Sequence, residues 1–180
     1  MQQRAPNVGW RFLFRAIVLM CAFYALVHYP HEPDSALQRV LNAESRLQAH
    51  AAGFLVRLFD SRASVQGTVI HGRFPLQVIK GCTSMDVQAL FAGTILAFPA
   101  GWAPRLLGVV AGGSALILIN IVRIASLYFV GAHLHDSFDF VHEELFPLVL
   151  VVAACGCLLA WFAWTGRTPR DRAAAALARE

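Results

Sequence analysis

The chain has 180 residues, of which 57% are hydrophobic and 14% charged, and its mean hydropathy is +0.55; a soluble domain carries about 25% charged and about 45–50% apolar residues. These figures exclude an ordinary cytosolic enzyme, a disordered tail and a nucleic-acid module. The formal net charge is +4, yet 14 of the 15 basic residues are Arg, scattered singly, so no basic stripe exists to follow a nucleic-acid backbone.

Four segments are expected to cross a bilayer, judged against the roughly 20 apolar residues that span about 30 Å of hydrocarbon. The first is 10–29, opened by Arg4, Arg11 and Arg15. A removable signal peptide is the alternative there, but no small-residue cleavage site follows, and a retained anchor fits better. Residues 30–81 then form an insertion. Within it Leu37, Val40, Leu41, Leu47, Ala51, Phe54, Leu55 and Leu58 make a stripe at helical spacing, broken by Glu44 and Gln48. This predicts an amphipathic helix on the membrane surface or on the other helices. Residues 65–70, the pair His71-Gly72 and residues 73–79 read as a β-hairpin. The remaining spans are 85–102, which is short, 106–134 and 145–164, leaving 165–180 as a tail.

The flanks predict the orientation. Arg4, Arg11 and Arg15 precede the first span, Arg105 lies between the second and third, and Arg167, Arg170 and Arg172 follow the fourth. With four crossings these share one side, cytoplasmic by the positive-inside rule. Asp136, Asp139, Glu143 and Glu144 fill the loop on the other side with no Arg or Lys. The expected protein is therefore an all-α, multi-pass inner-membrane protein of about four spans, with the insertion and the heads of spans two and four outside.

Few residues break the pattern of a lipid-facing helix. Arg123 is the strongest, because a charge inside a span costs several kcal/mol unless paired or hydrated, which marks it as a functional candidate. It lies 17 residues after Leu106, about 26 Å along a helix, beneath the outer boundary, with Asn120 on the same face. Its structural alternatives are snorkelling to the lipid headgroups, or an ion pair with Asp86 that locks two helices. Cys82 stands where the insertion enters span two, in the expected first turn of a helix, where the dipole and a nearby cation favour thiolate. His142 opens the fourth span. Cys82, Arg123 and His142 are thus expected in one layer, and a thiol, an imidazole base and a guanidinium form an acyl-transfer set. His133 and His135 are rivals for the base. Cys21, Cys155 and Cys157 sit mid-span as small apolar residues, and no Cys, His and Asp cluster has metal-ligand spacing.

At these residues the sequence resembles the exosortase/archaeosortase family: Cys82-Thr83-Ser84 at the head of one helix, Asn120-Ile121-Val122-Arg123 in the next, and His142 before Leu145-Phe146-Pro147. The compact size is similar to the short exosortase H type. The resemblance implies a membrane cysteine protease or transpeptidase that cleaves the C-terminal sorting signal of exported proteins, a short motif followed by a hydrophobic helix and a basic tail. It implies Cys82 as nucleophile, His142 as base and acid, Arg123 as oxyanion or substrate ligand, an acceptor nucleophile, and no metal or cofactor. Asn120 and Asp86 are the supporting candidates. The sequence departs from the family at Thr83-Ser84, where a small residue and Gly are common, and many members carry about twice as many helices. The competing readings are a non-enzymatic scaffold with Arg123 as a structural charge, and a thiol relay through Cys82 that lacks a resolving thiol at the same depth.

Overall fold

The structure, a computed structural model, describes residues 7–28 and 35–166. Tyr29, Arg4, the start of the insertion at 30–34 and the tail with Arg167, Arg170 and Arg172 lie outside the described residues. Helix α1 is Asn7–His28, α2 Ala36–Arg57, α3 Met85–Ala97 and α4 Trp102–His133; a helical turn α5 (Phe138–Phe140) and a π-helical turn (Val141–Leu145) lead into α6 (Phe146–Thr165). Strands β1 (Ser64–Gln66), β2 (Val69–His71) and β3 (Leu76–Gln77) lie between α2 and α3. Helix α4 is the centre: α2, α3 and α6 all pack on it, while α1 packs on α3.

Among the described residues, two helices are long and apolar enough to cross a membrane, Trp102–His133 and the continuous His135–Thr165 run. Only 28% and 17% of their most apolar windows are buried, which is unlike the core helix of a soluble protein. The other two expected spans are shorter. The apolar part of α1 is Leu13–Leu26, and the 13 residues of α3 reach only about 20 Å. Helix α3 ends early because Phe98, extended at ψ 139°, precedes Pro99, whose ring disfavours the helical conformation in the residue before it.

Helix α2 starts at Ser35, whose hydroxyl accepts from the Gln38 N–H (3.2 Å) and so satisfies one of the free first-turn donors. Its buried face differs from the expected stripe. Leu41, Ser45, Gln48, Ala52 and Val56 face inward, while Val40, Leu47, Phe54 and Leu58 are exposed. The small residues win the inner face because they allow close approach. A Cβ on Gly53 would collide with the Val65 side chain.

The hairpin also differs from expectation. The expected reversal after residue 70 is present, between β2 and β3 at 72–75, but a second turn at Gly67-Thr68 folds the expected first strand in two. The register pairs Ser64 with His71 and Gln66 with Val69, and β3 adds to β2 with Ile70 opposite Leu76. Gly67 takes φ +63°, the conformation asked of the first residue in a two-residue hairpin turn.

Two cores result. One joins α2, the sheet and the Cys82 end of α4 through Val56, Ile70, Val78, Ile124, Leu127 and Tyr128. The other joins α3, α4 and α6 through Phe91, Ile95, Leu116, Ala154 and Trp161. The sheet is latched to α4 by Tyr128, whose buried hydroxyl donates to Asp60 Oδ2 (2.9 Å) and accepts from the Arg73 N–H (2.7 Å). The Tyr128 hydrogen bond is the main reason that the Asp60 carboxyl titrates below its ordinary range. Because the folded-state value is the lower one, this stabilisation is present above about pH 4 and is lost as pH falls through the folded-state value. Tyr128→Phe is therefore expected to lower the thermal unfolding temperature in lipid or detergent at pH 7, and the gap from wild type is expected to narrow when the scans are repeated near pH 3.

Candidate active site

Between the two cores, on α4, lie Asn120 and Arg123, flanked by Leu116 of one core and Ile124 of the other. Asn120 is fully buried and Arg123 is 5% exposed. Polar groups at such positions survive only if their hydrogen bonds are made internally. The Asn120 carboxamide makes three. Its Nδ2 donates to the Cys82 carbonyl (2.7 Å) and to Gln48 Oε1 (2.6 Å), and its Oδ1 accepts from Arg123 Nη1 (3.2 Å). This pattern fixes the amide's orientation, since a flip would set its oxygen against two acceptors and its NH₂ against a donor.

Arg123 Nη1 also donates to the Cys82 carbonyl (3.4 Å), while its Nε is buried without a partner. Gln48, from α2, closes the network by donating to the Thr83 carbonyl (3.3 Å) and to Glu44 Oε1 (2.9 Å). The turn that carries Cys82 is thus held by its carbonyls from two helices at once.

Cys82 stands on a 3₁₀ turn, Lys80–Cys82, and not in the first turn of α3, which begins at Met85. Its N–H donates to the Ile79 carbonyl (2.8 Å), and the Thr83 N–H to that of Lys80 (3.1 Å). Cys82 Sγ lies 3.8 Å from His142 Nε2, within reach of a weak thiol hydrogen bond. His142 belongs to the π-helical turn, a feature that concentrates at functional sites. Its ring stacks on Phe138 (5.6 Å, 14°), and Phe138 packs on Phe74 beside the sheet (5.1 Å). The sheet therefore braces the imidazole.

Of the residues expected from sequence, the fold brings Cys82, Asn120, Arg123 and His142 together. Asp86 is the correction. Its side chain lines a cavity with Met20, Cys21 and Tyr24 of α1, while the hydrogen bonds of Arg123 go to Cys82 and Asn120, so the two do not lock α3 to α4. The rival imidazoles are engaged elsewhere: His133 Nδ1 is 3.0 Å from the Phe129 carbonyl, and His135 packs edge-on to Phe74. Cys157 packs with the other core. Among the described residues no His, Cys, Asp and Glu group is arranged to hold a metal ion.

The sequence model of the transmembrane exosortase family matches residues 7–162. The chain belongs to the transmembrane exosortase family. No curated protein and no solved structure matches it. Membership makes the protein membrane-bound, in keeping with its exposed apolar helices.

Gln48 is the feature that the sequence pattern hid, and the backbone at Ser84 answers the departure noted at Thr83-Ser84. Gln48 was read as a break in an apolar stripe, whereas it is the α2 member of the site; its spacing of four from Glu44 on one helix face was the available signal. Ser84 takes φ 58° and ψ 20°, the left-handed region that favours Gly. Its hydroxyl accepts from Gln88 Nε2 (3.2 Å), a local bond that helps Ser hold this conformation. Ser84→Gly is expected to keep or raise the unfolding temperature, whereas Ser84→Val, with a branched Cβ in the left-handed region, is expected to destabilise by about 1–2 kcal/mol; differential scanning fluorimetry of the purified variants decides it.

Proposed function

We propose that the protein is a membrane-embedded cysteine protease or transpeptidase that processes the C-terminal sorting signal of exported proteins at the periplasmic face of the bacterial inner membrane. The observation that carries this reading is the 3.8 Å approach of Cys82 Sγ to His142 Nε2, beside a buried guanidinium with an unpaired Nε donor. The acidic 136–144 segment at the Cys82 end and Arg105 at the other support the orientation under the positive-inside rule.

In this mechanism His142 Nε2 takes the Sγ proton and the thiolate attacks the scissile carbonyl carbon, forming a C–S bond. Negative charge moves to the carbonyl oxygen, where the Arg123 guanidinium, already fixed by Asn120, stabilises it without reorganising. Collapse breaks the C–N bond. The departing amine, at the head of the hydrophobic tail, takes the proton from imidazolium His142. The resulting thioester is resolved by an acceptor amine or by water, which returns its proton through His142 to Sγ. Neither step calls for a metal or cofactor.

Each partner is assigned a distinct share. With a tailed candidate substrate from the same genome co-expressed and processing followed by gel mobility, Cys82→Ala is expected to abolish cleavage. Arg123→Ala is expected to slow it about 10²–10³-fold and His142→Ala about 10²–10⁴-fold. Normal processing by Cys82→Ala would leave a scaffold, not an enzyme.

A further inference from the structure

Glu44 is an ionisable group that this reaction does not use. One of its oxygens accepts from Gln48. The other, Oε2, is shielded from solvent and has no hydrogen-bond partner, a state that calls for a donor. Burial holds its carboxyl above the ordinary range, with the Gln48 bond pulling the other way.

Glu44 also stands at one end of a groove of about 580 Å³ between α1, α3 and α4. Its floor includes Ala89, Gly93 and Gly113, and Leu19 and Phe23 of α1 form a wall. Elsewhere the small residues of α4 are consumed by the protein's own packing, since a Cβ on Gly108 would meet Trp161 and one on Gly112 would meet Phe91. On Gly113 it would meet nothing within 4 Å. The groove follows α3 from Met85 to Leu96, about 16 Å of helix rise, and its Glu44 end is the Cys82 end.

Resting on the reading above, we propose that Glu44 is a positioning residue for substrate: its side chain is partly exposed at the groove end, and rotation of the carboxylate brings the oxygen shielded at rest into the groove, where it accepts from the unpaired first-turn N–H groups of the substrate's apolar helix. The segment to be cleaved precedes that helix, so the helix enters the groove with its N-terminus at the Cys82 end. A helix N-terminus carries four unpaired N–H groups and the positive end of the dipole. A carboxylate complements both. A lipid is the other occupant of such a groove, but acyl chains bring no donor to Glu44 and a headgroup phosphate is repelled by it. With the helix capped here, the residues just before it lie over the turn that carries Cys82, three residues from Met85.

The test separates this inference from the reaction itself. In the Cys82→Ala background, which holds substrate uncleaved, a photo-reactive benzoylphenylalanine replaces Gly113 and the co-expressed tailed substrate is the probe. Cross-linking to the substrate helix is expected, falling about tenfold with Glu44→Leu and only about two- to fivefold with Glu44→Gln, which keeps an acceptor oxygen but loses the charge. In the Cys82-containing chain Glu44→Leu is expected to raise KM for processing with kcat nearly unchanged, and maleimide labelling of Cys82 in the same membranes reports an intact fold. Should Glu44→Leu not fold, the Glu44→Gln decrease carries the test. Capture of phospholipid alone, or equal substrate capture by all variants, overturns the role of Glu44. Capture as expected from a chain that never cleaves instead overturns the proposed reaction.

Discussion

The structure turns on one buried carboxamide. Asn120 carries three hydrogen bonds with no exposure to solvent, and its partners come from α2, from the Cys82 turn and from its own helix. In a bundle whose outer surface is apolar, an unmade hydrogen bond cannot be repaired by water. Polar groups in such an interior are fixed together, and among the described residues Arg123 Nε and Glu44 Oε2 are the buried side-chain atoms left without a partner. The Asn120 network therefore does more than stabilise: it sets the position of the Cys82 carbonyl relative to Arg123, and hence of the sulfur one residue's side chain away.

The same constraint accounts for the unequal helices. A continuous helix through residues 80–97 would tie up the carbonyls of Cys82 and Thr83 in its own ladder. Starting α3 at Met85, after a 3₁₀ turn and a left-handed Ser84, leaves both carbonyls free to receive Asn120, Arg123 and Gln48. The late start of α3 and the left-handed backbone at Ser84 are thus two consequences of one requirement. His142 sits on a comparable irregularity, the π-helical turn at 141–145, which widens the helix locally and is braced from outside by Phe138 and Phe74.

This explains what was legible in the sequence. Arg123 and Asn120 stood out because a charge and an amide in an apolar helix are conspicuous and their spacing of three places them on one face. Cys82 and His142 followed from the ends of apolar segments, and the order of the motifs carried the family resemblance. What failed were choices among equivalent apolar patterns. Helix α2 has apolar residues on two faces, and only packing decides that Ala52 and Gly53 go inside while Leu47 and Phe54 stay out. In the sheet, the pattern at 65–70 and 73–79 gave the reversal between β2 and β3 but not the further turn at the left-handed Gly67, inside the expected first strand. The Arg123–Asp86 pairing was plausible by charge alone, but Asp86 follows α3 round to the side facing α1.

A nucleophile at the rim of an apolar bundle must reach a peptide bond that is extended and wet, while the segment behind that bond prefers to be helical and dry. The proposed reading assigns these demands to different parts of the molecule. The sheet-side core, through Tyr128, Phe74 and Phe138, holds the imidazole and the Cys82 turn. The core of Phe91, Leu116 and Trp161 keeps α3, α4 and α6 rigid along the bilayer and leaves the α1 side grooved. Helix α4 runs through both, so a shift of either core moves Asn120 and Arg123 with it. Only the residues where the two meet need to be polar, which is how so apolar a chain would accommodate the proposed reactive centre.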